Sequence, residues 1–155
     1  MSLGGGNYTC DCDLYRTAIA DAIAEAAING IITFAATGNG AICDGIGAPA
    51  CVSSAVKVAA NYDADWYPST YFNPPGCGDL NPERYWVTCF SNIAAECNFL
   101  LAAPGYQISV GGFAGDGTSQ ATAHASGVAA LMFDKSGSCG GLDAFTAKSI
   151  IFNHA

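Results

Sequence analysis

The chain has 155 residues and a mass of 15.7 kDa, enough for one domain with a real core, since a chain of this size buries roughly 70% of its unfolded surface. With 51% of residues hydrophobic and 12% charged, the composition excludes a disordered chain or a solvating tail. Five Lys and Arg against thirteen Asp and Glu give a net charge of -8, which excludes nucleic acid and an anionic membrane surface as partners, and no apolar run approaches the ~18 to 20 residues of a spanning helix, so a soluble protein is expected.

From Asp13 to Asn29 the residues Ala18, Ile19, Ala22, Ile23 and Ala26 recur at helical spacing, which predicts a helix with Asp13 as N-cap and Asn29-Gly30 as its stop. The run Ile31 to Ala36 follows as a buried strand ending in the turn Thr37-Gly38-Asn39-Gly40, and Ala55 to Ala60 is a second such run. Continuously apolar strands after a helix imply a parallel sheet covered on both faces, so the expected fold is α/β, a three-layer sandwich with a mostly parallel sheet. From residue 61 to 98 the composition shifts to Pro, Gly, Asn and aromatics with no sustained period, which reads as a long surface insertion, cross-linked by disulfides and packed on its own rings (Trp66, Tyr67, Tyr71, Phe72, Tyr85, Trp86). Regular structure resumes with the strand Phe99 to Ala103, the Pro104-Gly105 turn and a Gly-rich stretch from Gly111 to Gly117. The helix predicted over Thr118 to Phe133 carries Ala121, Ala125, Ala129, Ala130 and Gly127, side chains so small that it should be buried against close backbone neighbours. A last helix is expected from Asp143 to Asn153, and no repeat or linker divides the chain.

Eight cysteines occur, at positions 10, 12, 43, 51, 77, 89, 97 and 139. No C-x-x-C pair and no cysteine-histidine cluster supports a zinc site, so disulfides formed in an oxidising, extracellular compartment are the better reading, with Cys43 to Cys51 as the first local pair to try. The opening Met-Ser-Leu-Gly-Gly-Gly has no basic or apolar region of a secretory signal, so for a secreted protein the true beginning is expected upstream of Met1.

Two glycine turns raise nucleotide readings, and both fail. After Gly38-Asn39-Gly40 the third glycine of a dinucleotide fingerprint is Cys43, and Gly112 and Gly117 are followed by Thr118 where a phosphate loop needs lysine. What the second turn does offer is Ser119 at the N-terminal end of a helix, where a hydroxyl faces a cleft and its unpaired backbone N–H points to where an oxyanion would develop. An N-cap serine in a Gly-rich loop is the plainer account of that residue by itself.

Gly117-Thr-Ser-Gln-Ala-Thr-Ala-His124, with Ala125-Ser-Gly127 after it, resembles the nucleophile motif of the subtilisin-like serine peptidases, roughly G-T-S-x-A-x-P-H-x-x-G. Met1-Ser2-Leu3-Gly4-Gly5 resembles that family's substrate-binding strand end. Ala35-Ala36-Thr37-Gly38-Asn39 resembles the strand and turn of its oxyanion asparagine, and Ala103-Pro104-Gly105 its pre-nucleophile segment. The four motifs stand in family order. The resemblance implies a serine endopeptidase with Ser119 as nucleophile and Asn39 as oxyanion donor. It also implies a substrate cleft walled by Ser2, Leu3 and Gly4 on one side and Ala36, Thr37 and Gly38 on the other, with Gly47 at its floor and Thr118 as a supporting hydroxyl. The room left by Gly47 points to bulky hydrophobic residues before the scissile bond.

The same resemblance implies departures. The family proline after the nucleophile is Ala123, and the family's catalytic aspartate and histidine motifs precede Ser-Leu-Gly-Gly, so they are expected in a missing N-terminal half, without which this chain is nearly inactive. His124 is expected to be structural and buried, and His154 to face solvent at a fraying terminus. No cofactor is implied with certainty, and structural calcium, which many relatives bind, stays open: no D-x-D-x-D-G loop occurs, but the ligands in such folds are scattered carbonyls and carboxylates. The competing readings are a pseudopeptidase that only binds peptides, and an α/β-hydrolase esterase using Ser119, Asp143 and His154.

Overall fold

The computed structural model describes residues 1–66, 70–73, 77–98, 100–137 and 143–154. Cys139, Tyr67 and Phe99 lie outside the described residues, as do the side chains of Tyr71, Phe72 and His154. In chain order the elements are β1 (Gly5–Tyr8), α1 (Thr17–Ile28), β2 (Phe34–Ala36), β3 (Ile46–Ala48), β4 (Val56–Asn61), β5 (Thr70–Asn73), β6 (Cys77–Leu80), β7 (Leu100–Pro104), β8 (Ile108–Val110), β9 (Phe113–Gly115), α2 (Thr118–Gly137) and α3 (Ala144–His154).

The central sheet is parallel with strand order β2-β4-β7, Phe34 beside Val56 and Ala60 beside Ala103. The two-residue period of the strands divides it into two cores. Phe34, Val56, Val58, Ala60, Leu101 and Ala103 face the Ala121, Ala125 and Ala129 stripe of α2, while Ala35 faces Ala20 and Ile23 of α1. This is the expected α/β sandwich, with α2 on one face of the parallel sheet and α1 on the other. Three alanines at helical spacing let α2 lie close across all three strands, which fixes where its first turn emerges.

Local signals give way where long-range ones compete. The α1 N-cap is Arg16, with no side-chain cap, and Asp13 instead accepts from the Ser53 backbone N–H (2.9 Å) and hydroxyl. Cys12 is bridged to Cys51 (Cα–Cα 5.4 Å), which brings Asp13 beside Ser53 and removes it from the helix. The predicted stop holds: Gly30 takes φ +79°, and the Asn29 side-chain amide donates to the Glu25 carbonyl at 2.9 Å. The strand predicted from Ile31 starts only at Phe34, because the Ile31 N–H still bonds back to Ala26. The Gly-rich stretch contains an unpredicted hairpin, β8–β9, turned by Gly111 and Gly112 at φ +60° and +84°.

The short Cys43–Cys51 pairing is overturned. Cys51 is buried beside Cys12 on the α1 side of the sheet, while Cys43 is a free, exposed thiol. The second bridge, Cys77–Cys89 (Cα–Cα 5.6 Å), does lie within 61–98 and ties the antiparallel β5–β6 hairpin back to the sheet. That segment is not wholly superficial, however. Tyr62, Thr88, Phe90, Ser91 and Asn92 are buried, and Tyr62 and Trp66 stack edgewise on Tyr106, a ring from outside the segment. No described helix is long and apolar enough to cross a membrane.

Lys57 is fully buried on the α1 side of β4, where its ammonium donates to the carbonyls of Val52 (3.0 Å) and Ala55 (3.4 Å). Burial holds its pKa below the usual lysine value, with Cys97, Cys10, Asp11 and Asp13 opposing that shift when ionised. A group that protonates less readily folded than unfolded lets the unfolded chain bind more protons. Its penalty is therefore complete at low pH and is relieved as pH rises from the folded-state pKa towards the unfolded value. Lys57→Met is expected to stabilise the chain by about 1–3 kcal/mol near neutral pH and to flatten the rise in stability as pH climbs towards the ordinary lysine range. Urea melts of both proteins across pH 6–9 check it, and a loss of more than ~1 kcal/mol on substitution would show that the ammonium is a net asset.

Candidate active site

Three tight backbone positions bring distant segments to one point. Gly105, just after β7, donates to the Asn61 carbonyl (3.1 Å) and accepts from the Gly117 N–H (2.8 Å), so the chain entering α2 is held against the C-terminal ends of β4 and β7. Gly117 takes φ +152° and Gly38, after β2, φ +110°, conformations that favour glycine. A side chain at Gly117 would meet the Asn39 amide nitrogen at 2.9 Å, and one at Gly38 would meet the Asn92 amide nitrogen at 2.6 Å.

Thr118 and Asn39 then lock together. The Thr118 N–H and hydroxyl both donate to Asn39 Oδ1 at 2.9 Å, and the Gly38 N–H donates to Thr118 Oγ1 at 3.2 Å. Asn39 Oδ1 is thus committed to Thr118, and Asn39, itself exposed, lines the cleft. Ser119, the next residue and half-buried, lies in the first turn of α2, where its backbone N–H has no intrahelical acceptor. Its hydroxyl donates to the Ser2 carbonyl across 3.5 Å, and the Ser2 hydroxyl donates back to the Ser119 carbonyl at 3.2 Å.

These groups border one cleft of about 290 Å³. Ser2, Leu3 and Gly4 line one side, Ala36 and Gly38 the other, with Gly47, Asn39, Thr118 and Ser119 also at the surface. The first wall is placed by two pairings: the Met1 amine donates to Phe34 and the Met1 carbonyl accepts from Ala36, after which β1 runs antiparallel to β3. Gly47 has no room to spare on its backbone side, since an added Cβ would lie 3.3 Å from Gly5 N and 3.6 Å from Thr37 O. Thr37 does not line the cleft. It is fully buried, and its carbonyl, which accepts from the Gly47 N–H (2.9 Å), joins the two walls.

Sequence reasoning missed Asn92. Its Oδ1 accepts from the N–H groups of Gly40 (2.8 Å) and Ile42 (3.2 Å), and its own N–H donates to the Gly38 carbonyl (2.9 Å), so it clasps the turn that carries Asn39 and also borders the cleft. The only hint in the sequence is Phe90-Ser91-Asn92, polar residues set among apolar ones within a stretch that has no period. Asn92→Ala would leave two N–H groups without acceptors and is expected to cost about 2–4 kcal/mol. Asn92→Asp, which keeps the accepting oxygen, should retain more of that stability, and equal losses in denaturant melts would assign the effect to packing.

His124 departs from expectation. It is exposed, with Nδ1 3.1 Å from the Gln120 carbonyl, because the buried stripe of α2 runs through residues 121, 125 and 129 and leaves 124, 128 and 131 outside. Val128 and Leu131 on that open face are 54% and 70% exposed. Asp143 is occupied at the start of α3, where its carboxylate accepts from the Thr146 N–H at 2.8 Å. Among the described residues no group of three or more His, Cys, Asp or Glu side chains could hold a metal ion.

The chain matches the subtilase family, peptidase S8, over residues 1–155. Among solved structures it is similar to the prenylagaramide maturation protease PagA (25% identity, TM-score 0.72), covering 100% of this chain and 50% of that one. It is also similar to a cold adapted subtilisin-like serine proteinase (28%, TM-score 0.68, 100% of this chain and 46% of that one). A third is the self-cleaved protease domain of PatA (26%, TM-score 0.66, 88% and 46%). The chain thus spans about half the length of these structures. No curated protein matches it. Family membership removes the α/β-hydrolase reading, and the parallel sheet with its helices is that of a subtilisin-like fold: this chain belongs to the subtilase family of serine proteases.

Proposed function

We propose that the chain is the C-terminal portion of a serine endopeptidase domain that hydrolyses peptide bonds through an acyl-enzyme on Ser119. The observation that supports this reading is that Ser119 and Asn39 line one cleft, with Asn39 Oδ1 held by Thr118, the residue before Ser119. Ser119 Oγ attacks the substrate carbonyl and gives up its proton to a general base. The carbonyl oxygen, becoming negative, is received by Asn39 Nδ2–H and the Ser119 backbone N–H, and the amine leaves with a proton from the same base. Water then attacks the ester and frees the serine.

The base and its aspartate come from the N-terminal half of the domain. His124 lies on the same helix as Ser119 with its ring against Gln120, and the matched structures are about twice as long. The surface supports this: an apolar groove of about 300 Å³ between β7 and α2, bordered by Leu101, His124, Val128 and Ile151, lies open beside the exposed Leu131. Without the base Ser119 is a weak nucleophile, and the isolated chain would keep at most the ~10³- to 10⁴-fold over water that triad-deleted subtilisin retains. The polypeptide substrate adds as a strand along Ser2 to Gly4, and the cleft above Gly47 takes a bulky hydrophobic side chain. Two disulfides favour a secreted protein.

A fluorophosphonate probe tests the reading. The complete protein should be labelled at Ser119, with no label in Ser119→Ala and little in the 155-residue chain alone. Absence of label in a natively folded complete protein would leave a pseudopeptidase that binds peptides without cutting them. Peptide panels on the complete enzyme that show a strict small or charged preference would overturn the hydrophobic subsite.

A further inference from the structure

Three described cysteines are free, and two of them lie close together. The Cys97 thiol donates to the carbonyl of Thr9, the residue before Cys10, at 3.6 Å, and Cys10 helps push the Cys97 thiol up, while the Cys10 thiol donates to Asp11 Oδ1 at 3.5 Å. Both are half-buried, unlike the solvent-exposed Cys43, and the buried Lys57 ammonium interacts electrostatically with both. Two neighbouring, half-buried thiols beside the Lys57 amine make a dithiol placed for closing.

We infer that Cys10 and Cys97 are a redox site that closes to a third disulfide by exchange with a small-molecule disulfide, and that this bond clamps the two sides of the substrate cleft. The steps balance. A Cys10 thiolate attacks one sulfur of the small disulfide and expels one thiolate. Cys97, as thiolate, then attacks the Cys10 sulfur and expels the second. Two cysteine thiols are oxidised and one small disulfide is reduced to two thiols. Cys97 is the slower group, because burial first and its bond to Cys10 next push its thiol up to about 12, while Lys57 opposes that rise.

The consequence for the cleft follows from what the two residues are attached to. Cys10 stands two residues after β1, which continues the Ser2–Gly4 wall and pairs with β3. Cys97 ends the segment whose Asn92 clasps the Gly38–Ile42 turn and whose Ile93 exchanges backbone bonds with Ile42 and Gly45. In the open form these two segments are joined through β3 and its preceding Gly45 and by the approach of the Cys97 thiol to the Thr9 carbonyl, and the closed form adds a direct covalent tie. The Cys12–Cys51 bridge does not do this, since it ties the start of α1 to the chain after β3.

The test titrates the complete protein with reduced and oxidised glutathione and maps cysteine links by mass spectrometry after double digestion. Its readout is independent of peptide hydrolysis, so it stands or falls separately from the proposed enzyme. A Cys10–Cys97 linked peptide is expected at oxidising ratios. Its formation should raise Tm by about 5–15 °C and slow amide exchange in residues 38–45, and Cys97→Ser should lose the link, the Tm rise and the exchange protection together. Persistence of both thiols, glutathione adducts at Cys10 that never resolve, or a link to Cys43 instead would overturn the inference. A Cys10–Cys97 link without slower exchange at 38–45 would overturn its clamping role.

Discussion

Asn39→Ala in the complete enzyme is expected to lower kcat about 10²- to 10³-fold, the loss known for the corresponding subtilisin asparagine, with KM little changed. The donor acts on charge that exists only in the transition state, so the effect belongs in kcat rather than in substrate affinity. Asn39 has a second task here that complicates the substitution. Its Oδ1 accepts both the N–H and the hydroxyl of Thr118, the residue before the nucleophile. Asn39→Asp separates the two, because it keeps an accepting oxygen for Thr118 and replaces the donor with a negative charge where the oxyanion would form. Its kcat should fall at least as far as that of Asn39→Ala while its thermal stability stays nearer to the parent. A stable Asn39→Asp enzyme with near-parental kcat would remove Asn39 from the oxyanion site.

Gly105→Ala is expected to be the most damaging single methyl in the described chain. The added Cβ would lie 2.5 Å from Ala60 Cβ, 2.7 Å from the Gly117 carbonyl oxygen and 3.2 Å from Ala121 Cβ. Two of these neighbours are the strand and helix of the central core and the third is backbone, so none is the yielding tip of a long side chain. Overpacking of this kind costs about 1–3 kcal/mol and more where the backbone must shift, and about 3 kcal/mol or above is expected here. Because Gly117 directly precedes Thr118 and Ser119, the shift should also weaken fluorophosphonate labelling at Ser119 in whatever fraction still folds. Gly5→Ala is the control, since a Cβ there meets nothing within 4 Å. Equal melts for the two variants would refute the packing argument.

The open face of α2 bears on how much of the site this chain supplies by itself. Small residues at 121, 125 and 129 pack against the sheet as their spacing requires, yet His124, Val128 and Leu131 on another side of the same helix remain exposed. The sequence reading took the small-residue content to mean a helix buried against close backbone neighbours. The structure shows one buried stripe, and the proposed N-terminal half is the natural cover for the other.

What the sequence alone determined was everything carried by near neighbours. The 3.6-residue spacing of α1 and α2, the apolar runs that became β2 and β4, the glycine stop at Gly30 and the Gly-Thr-Ser start of α2 all follow from interactions within a few residues. The family motifs were legible for the same reason, each being a short turn with a fixed backbone requirement. Tertiary structure decided whatever needed two distant segments to meet. Asp13 left its helix cap for Ser53 once Cys12 joined Cys51, and Cys43, nearest in sequence, was left without a partner. Asn92 was placed on the Gly38–Ile42 turn, and Cys10 on Cys97, by chain paths that no periodicity records. A hydrogen bond or disulfide across tens of residues depends on how the sheet stacks its loops, and that stacking is a property of the packed core rather than of any local stretch of chain.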